Sequence, residues 1–519
     1  MTHSHHHASC TGCCRGISRR DFVKGAGLAA AAAGTIGAAG NPARGSGDQR
    51  VRVGLVFLSK AGSSWPYPTF DVTAREKQIL RLLKDGCPKI EFVPVAVRDP
   101  DDVRKAVALD NQVDGYLIYA VTLTWNLRPA MSTIGKLGKP MIVADEYLGG
   151  SGLFLVGYSA IRREGIPAVG VATTRPSDLV AVVRCFADVK KPGTTPESFA
   201  ARCDQVYRKT FPKVGEMKCI DDPVSLNDIG DCVERFKKYR FLIVGRDGSG
   251  RERDYLGAKG IHIGFDELKT VYDKIDPEMA GEWAERWSRE ADKLVDVDPE
   301  WIRKAGAVYL ATLALLERCG TDTVTMDCLG GFARGELPAY PCLGFMQLLN
   351  DGGHGVCEAM PDDTLSMLMA RLLTGRPGFV SDPVLDTAKN QIVYAHCVAT
   401  TKVFGPEGRS NMFRIRTLHD HDPRGTCAQS FMPEGYMTTS FRTNFSRKEM
   451  VIHQAKSAGN LDSDRGCRSQ LIGEVRGDIG NLFHEWDSFS WHRVTVYGHV
   501  KAPLIEFGKA LGLSIVEEA

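Results

Sequence analysis

The sequence lacks an excess of charge of either sign and any long run of lysine or arginine. Its 65 Lys and Arg residues face 63 Asp and Glu residues, which leaves a net charge of +2 over 519 residues. Because nucleic-acid-binding domains usually carry a strongly basic face, we expect no nucleic-acid partner. Past the N-terminal segment the sequence also lacks an apolar run long enough to cross a bilayer, so we expect no membrane span in the mature chain.

Common cofactor and redox motifs are missing as well. The Gly-rich segment VGRDGSGRERDY lacks the third glycine of a dinucleotide fingerprint and the lysine of a P-loop, so we interpret it as a solvent turn. The twelve cysteines past the N-terminal segment form no C-x-x-C pair. Several lie in apolar runs, which favours buried free thiols, and a surface pair of Cys203 with Cys219 stays open.

The N-terminus, by contrast, carries a recognisable signal. In ISRRDFVKGAGLAAAAAGTIGAAG, Arg19 and Arg20 precede a weakly apolar Ala/Gly segment. This pattern is typical of a twin-arginine export signal, and the alternative is a low-complexity basic head on a cytoplasmic protein. We therefore expect residues 1–47 to be a leader, the twin-arginine translocation machinery to be a partner, and the mature protein to be periplasmic.

The remaining chain alternates between apolar strands and amphipathic helices before its character changes. VRVGLVFL, IEFVPVAV, VDGYLIYAV and KPMIVAD are separated by helical patterns, which predicts a doubly wound parallel α/β domain over residues 48–164. GIPAVGVA and YRFLIVG indicate a second α/β domain over residues 165–355. Short strands rich in turn residues predict a mainly antiparallel β domain over residues 356–519.

Four polar residues are candidates for chemistry, and two of them, Glu336 and His396, lie at predicted strand ends. Glu336 lies in GGFARGELPAYPC and Glu358 in CEAMPDDTLSMLMARLLTG, while His396 lies in NQIVYAHCVA and His492 in SFSWHRVTVYGH. Carboxylates and imidazoles are ligands for a divalent cation such as Mn²⁺, and carboxylates also serve as acids and bases. Helix capping and core packing are the alternatives, because spacing along the chain does not by itself bring the four together.

The order of these motifs resembles the L-fucose isomerase and L-arabinose isomerase family of aldose–ketose isomerases. The matching segments are TVTMDCLGGFARGE, CEAMPDDTLSMLMARLLTG and SWHRVTVYGHV, in the order of the family's second and third domains. The resemblance implies a Mn²⁺ or other divalent cation held by Glu336, Glu358, His492 and His396. Met360 occupies a position where the family has an aspartate, and a thioether is a poor ligand for Mn²⁺. Two alternatives follow: Glu358, in preference to Asp362, supplies the missing oxygen, or the metal site is weakened or lost.

The resemblance also implies a reaction and a substrate class. A monosaccharide aldose would be converted to its ketose through an enediol, with Glu336 and Glu358 as the catalytic carboxylates. Trp125 and Trp491 would contact the sugar, and the protein would form a homo-oligomer. Two other functions stay open: a non-catalytic exported carbohydrate-binding protein on the same scaffold, and another metal-dependent sugar epimerase or lyase.

Overall fold

The computed structural model describes residues 50–63, 65–486 and 491–519. The expected leader, residues 1–47, lies outside the described residues, so the export signal stays a prediction. Residues Arg50–Ala519 form one compact unit. Among the helices of the described part, none has the length and apolar character needed to cross a membrane.

The first sheet is parallel throughout and is covered by helices. Its strands are β1 (Val51–Leu58), β2 (Ile90–Val97), β3 (Gly115–Ala120), β4 (Met141–Asp145) and β5 (Ala168–Ala172). Its helices are α1 (Val72–Gly86), α2 (Val103–Val107), α3 (Leu127–Gly135), α4 (Ser151–Arg163), α5 (Pro176–Val183) and α6 (Pro196–Arg208). The strand order is β2-β1-β3-β4-β5, and β3 is buried along its whole length, as expected for a parallel strand covered on both faces.

The segment GIPAVGVA belongs to this first sheet, which corrects its expected place at the start of the second. Its strand β5 pairs in parallel with β4, with Met141 opposite Ala168. The sequence prediction was wrong here because a short apolar run between turn residues shows that a strand is buried but not which neighbour it pairs with.

The second sheet lies after a long connection and is mixed. Its chain order is α7 (Ile229–Lys237), β6 (Arg240–Gly245), β7 (Glu252–Tyr255), β8 (Ala258–Gly264), α8 (Phe265–Tyr272), α9 (Pro277–Glu290), β9 (Lys293–Val295), α10 (Pro299–Cys319), β10 (Thr323–Met326), α11 (Cys328–Ala333), α12 (Cys342–Asn350) and β11 (His354–Cys357). The strand order is β11-β10-β6-β8-β7, with β7 as the antiparallel edge. Strand β9 instead joins a small separate sheet.

The third region is mainly antiparallel. It consists of α13 (Pro361–Thr374), β12 (Phe379–Asp386), β13 (Gln391–His396), β14 (Phe413–Arg416), β15 (Cys427–Ser430), β16 (Met437–Asn444), β17 (Glu449–Asn460), β18 (Ser469–Arg476), α14 (Ile479–Glu485), β19 (Arg493–Tyr497), α15 (Lys501–Ala510) and β20 (Ser514–Glu517). The large sheet has the order β16-β19-β12-β13-β18-β17-β20, and an additional β16–β17 pairing closes six strands into a ring. The chain thus has two α/β sheets followed by an antiparallel β region, and the predicted fold class is confirmed.

Candidate active site

A cavity of about 130 Å³ lies where the three regions meet. Residues from the first region line it together with the end of β11 and the ends of the antiparallel strands. The lining residues used below are Trp65, Cys357, Glu358, Asp382, His396, Cys397, His419 and Cys467. Pockets at such junctions are common binding sites, because several chain segments can present side chains to one point.

Strand register brings Asp382, His396 and His492 to one end of the antiparallel sheet. Asp382 lies opposite Ala395, next to His396, and its neighbour Ser381 lies opposite Arg493, next to His492. The central strand β12 therefore carries the carboxylate, and the strands on either side carry the two imidazoles. The ring centroids of His396 and His492 are 5.4 Å apart.

Glu358 reaches the same point from the second sheet, through a strained turn. It follows β11 directly and has φ +67°, and Ala359 after it has φ +49°. Left-handed backbone is unfavourable for residues other than glycine, and such strain is concentrated at functional sites. Hydrogen bonds fix the turn, because the Ala359 N–H donates to the Met326 carbonyl (3.0 Å) and the Met360 N–H donates to Thr325 Oγ1 (3.0 Å).

The side chains of Glu358, His396 and His492 converge. One ligand atom from each lies within 4.8 Å of the other two. His492 Nε2 is 3.9 Å from Glu358 Oε2 and 3.8 Å from Asp382 Oδ1, so two carboxylates approach the same imidazole nitrogen. Two carboxylates and two imidazoles form a donor set that fits a divalent cation of hard to borderline character, including Mn²⁺.

The other nitrogen of His492 is held by a buried carboxylate. His492 Nδ1 lies 2.6 Å from Asp363 Oδ2, and Asp363 Oδ1 accepts from Arg442 Nε at 2.6 Å. Both His492 and Asp363 are almost completely buried. A carboxylate on one ring nitrogen directs the other nitrogen toward a ligand, which is the usual arrangement around a metal-binding histidine.

The electrostatics reflect this crowding of carboxylates. Burial opposes the charged form of His492, but Asp363 and Glu358 outweigh it and raise the pKa of the imidazole to about 9. Burial, with repulsion from Glu358, raises the pKa of Asp382 to about 7. Burial and the nearby His492 lower the pKa of His396. The site thus concentrates negative charge around a shared centre, which favours a cation there.

Glu336 does not join this group, contrary to the sequence expectation. Its Oε2 forms an ion pair with Arg334 Nη2 at 2.6 Å, and its side chain is 40% exposed. It lines a different pocket, next to Asp266 and Lys269 at the edge of the second sheet. The Arg334 hydrogen bond also lowers the pKa of the Glu336 carboxyl. A two-residue turn after α11, Arg334 and Gly335, directs Glu336 to this pocket, so we do not assign it a role in catalysis or metal binding.

Asp382 is the site residue that sequence reasoning missed. It lies within an ordinary strand pattern, VSDPVL, in which an acid next to a proline gives no distinct signal. The pairing of β12 with β13 and β19 brings it to the site, and this pairing is a long-range property. Met360, the expected replacement of a ligand, begins α13 as its N-cap and is not among the described residues that line the cavity. Asp382 therefore supplies the second carboxylate that Met360 does not.

The two candidate sugar-contacting tryptophans lie together beside the carboxylate. Trp491 Nε1 donates to Glu358 Oε2 at 3.4 Å, and the Trp491 ring makes an edge contact with Trp125, with centroids 5.5 Å apart. Trp125 is 70% exposed. An exposed aromatic face next to a polar site suits the apolar face of a sugar ring, so its role as a sugar contact stays a prediction.

The strained turn at Glu358 leads to a stability prediction. Replacing Ala359 by glycine removes the left-handed strain, and we expect the free energy of unfolding to rise by about 1 kcal/mol. Ala284→Gly, within α9, should instead lower it by about 1 kcal/mol. Urea unfolding of both variants measures the difference. Equal destabilisation by the two substitutions would show that the turn at Ala359 is not strained.

Comparison with known proteins gives a distant similarity to sugar isomerases. The chain is 23% identical over 274 residues to sulfoquinovose isomerase from Priestia aryabhattai and to sulfoquinovose isomerase from Priestia megaterium (strain ATCC 12872 / QMB1551). The match covers 51% of this chain and 60% of each relative, so the chain spans less than two thirds of their length. No protein-family model matches the chain. The similarity supports a sugar isomerase-like class. It does not support the expected assignment to the fucose or arabinose isomerase family.

Proposed function

We propose that the protein is an aldose–ketose isomerase that acts on a monosaccharide with a divalent cation, Mn²⁺ or a similar ion. The observation that carries this proposal is that Glu358, Asp382 and His396 line one cavity and converge there with the buried His492. These four residues would hold the cation. When bound, such a cation polarises the sugar carbonyl and makes the neighbouring C–H more acidic.

The chain's own carboxylates would carry the proton. Isomerisation moves a proton from C2 of the aldose to C1 of the ketose, and the hydroxyl and carbonyl exchange places through an enediol. Glu358 and Asp382 approach His492 Nε2 from two sides, so they are our candidates for the groups that remove the proton and return it. Trp491, which donates to Glu358, would orient that carboxylate and cover the sugar.

The remaining residues would position and enclose this pair. Asp363 and Arg442 fix the ring of His492 from the side away from the cavity. A sugar bound in the cavity would displace water from it, which would strengthen each electrostatic contact inside. Export by the twin-arginine route and a homo-oligomeric state remain parts of the proposal that rest on sequence resemblance alone.

Conversion of an aldose panel in D₂O tests the proposal. The purified protein with Mn²⁺ is incubated with hexoses, deoxyhexoses, pentoses and sulfoquinovose, which is included because the relatives carry its name. NMR should show a ketose with deuterium at C1. Formation of only a C2 epimer or a cleavage product would favour an epimerase or lyase, and sugar binding without turnover would favour a carbohydrate-binding protein.

Removal of the metal should abolish most of this conversion. Treatment with a chelator, followed by desalting, should lower the rate by at least about 100-fold, because the cation supplies several kcal/mol of transition-state stabilisation. Adding Mn²⁺ alone should restore it, and thermal melting before and after treatment checks that the protein stays folded. An unchanged rate in a preparation shown by elemental analysis to lack metal would contradict the metal-assisted mechanism.

A further inference from the structure

A second cluster of metal-binding side chains lies at the same cavity, and the proposed isomerisation does not use it. Ligand atoms of Cys397, His419 and Cys467 all lie within 4.8 Å of one another. Cys427 is buried at the start of β15, and its thiol donates to the Thr417 carbonyl at 3.7 Å, two residues before His419. All four residues lie next to strand ends, and the loops after β13 and β14 meet the segments that begin β15 and β18.

The chemistry of this cluster differs from that of the first one. Glu358 and Asp382 offer hard oxygen atoms, whereas Cys397 and Cys467 offer sulfur. Sulfur with imidazole nitrogen is the donor set of zinc sites, and oxygen-preferring ions such as Mn²⁺ do not favour it. The two clusters should therefore select different ions, even though His396 and Cys397 are consecutive.

The state of His419 points to a ligand. Its Nδ1 atom is buried and has no hydrogen-bond partner in the described part of the chain. A buried polar nitrogen left without a partner destabilises the folded state. The ring is fixed by an edge contact with Trp65, with centroids 5.0 Å apart, so it cannot turn to water without losing that packing. A metal ion shared by His419 and the two sulfurs would give the ring a polar partner.

The geometry permits such an ion with little movement. In a tetrahedral zinc site with Zn–S bonds of about 2.3 Å, ligand sulfurs lie roughly 3.8 Å apart. The three donors are already within 4.8 Å of one another, so closing around an ion requires shifts of roughly 1 Å or less. Cys397 and Cys467 are nearly buried, and Cys427 is fully buried.

We propose that Cys397, His419 and Cys467 bind a zinc-like cation, with the Cys427 thiol beside them as the fourth donor. The ion would tie the strand ends that form the cavity floor. It would be held independently of the hard cation at Glu358, and this proposal does not depend on the chain being an isomerase. The competing chemistry at this cluster is a Cys397–Cys467 disulfide, which the test distinguishes.

Metal binding by the full chain, prepared under reducing conditions, tests the site. Titration with Zn²⁺ should show a tight equivalent in addition to any taken up by Glu358, His396 and His492, and Co²⁺ in its place should give the near-ultraviolet sulfur-to-metal charge-transfer band of thiolate ligation. In the double variant Cys397→Ser/Cys467→Ser, the band should vanish and the Zn²⁺ affinity should fall by more than about 100-fold, because loss of a ligand exceeds the effect of losing an outer partner.

Two control variants make the result specific. Cys185→Ser/Cys203→Ser removes another buried pair of neighbouring thiols, in the first region, and should keep both the band and the affinity. Glu358→Gln should also keep them, which separates this site from the hard one. If the double variant at the cluster fails to fold, the unaltered protein is alkylated with and without Zn²⁺. Mass spectrometry should then show that Zn²⁺ protects Cys397 and Cys467 from the reagent.

Three results would overturn the proposal. The first is that Co²⁺ gives no charge-transfer band with the reduced protein, whatever Zn²⁺ binds elsewhere. The second is a Cys397–Cys467 disulfide in protein isolated without reductant, combined with no metal binding after reduction. A band that persists in the cluster variant and disappears in the Cys185/Cys203 variant would place the thiolate site elsewhere.

Discussion

Glu358→Gln is expected to lower the rate of aldose–ketose conversion by about 10³-fold while the protein stays folded. Glutamine keeps the shape of the side chain but can neither accept a proton nor offer a charged ligand, and removal of a positioned acid or base costs about 10²–10⁴-fold. Glu358 is 21% exposed, and Trp491 can donate to the amide oxygen as it does to the carboxylate. We therefore expect the free energy of unfolding to change by no more than about 1 kcal/mol.

Glu336→Gln is the matched comparison, because sequence motifs and structure disagree about this residue. In the structure Glu336 is paired with Arg334 at the surface of another pocket, so its replacement should leave the rate within about 2-fold. Initial rates of ketose formation for both variants show which glutamate takes part in the reaction. Melting curves check that both variants are folded. A large loss in Glu336→Gln with little loss in Glu358→Gln would reverse our assignment.

The sequence predicts the layers of this fold well and its long-range pairings less well. Apolar runs and helical spacing are local properties, so the parallel sheets and the change to antiparallel strands can be inferred from them. The place of β5 in the first sheet and the pairing of β9 with β14 are not local properties. Both pairings depend on which sheet edge is still open after the other strands have packed.

The site shows the same division. His396 lies at the end of a predicted strand, whereas Glu358 and His492 are found through the motifs CEAMPDD and SWHRVTVYGH. Asp382 lies inside β12, where only the register with its two neighbours shows that it faces the imidazoles. Glu336 follows a predicted strand and fits the family motif, but its side chain pairs with Arg334 at another pocket. Local patterns thus supply candidates, and the long-range pairing decides which of them meet.

Two buried carboxylates in the antiparallel region have the same surroundings and offer a controlled pair. Asp363 lies between Arg442 and His492, with contacts of 2.6 Å to each. Glu518 lies between Arg493 and His453, with Arg493 Nε at 3.1 Å and His453 Nδ1 at 2.9 Å. Both carboxylates are fully buried. The difference is that only Asp363 contacts a histidine of the candidate metal site.

Asp363→Asn is therefore expected to lose both stability and metal affinity. Removal of one partner of a buried ion pair costs about 3–5 kcal/mol, because the remaining charge keeps its desolvation penalty. Loss of the carboxylate behind a metal-binding histidine also weakens metal affinity by about 10–100-fold. Urea unfolding gives the first quantity. Mn²⁺ titration of the folded protein at low temperature gives the second.

Glu518→Gln should show the same loss of stability and keep its Mn²⁺ affinity within about 3-fold, since effects on an outer partner are confined to residues that contact a ligand. Arg493 Nη1 donates to the His492 carbonyl at 2.7 Å, so replacing Glu518 also tests whether loosening the His492 backbone weakens Mn²⁺ binding. Equal loss of Mn²⁺ affinity in both variants would mean that the direct contact of Asp363 with the His492 ring has no effect of its own. A selective loss in Asp363→Asn would show that this carboxylate positions His492 for the cation.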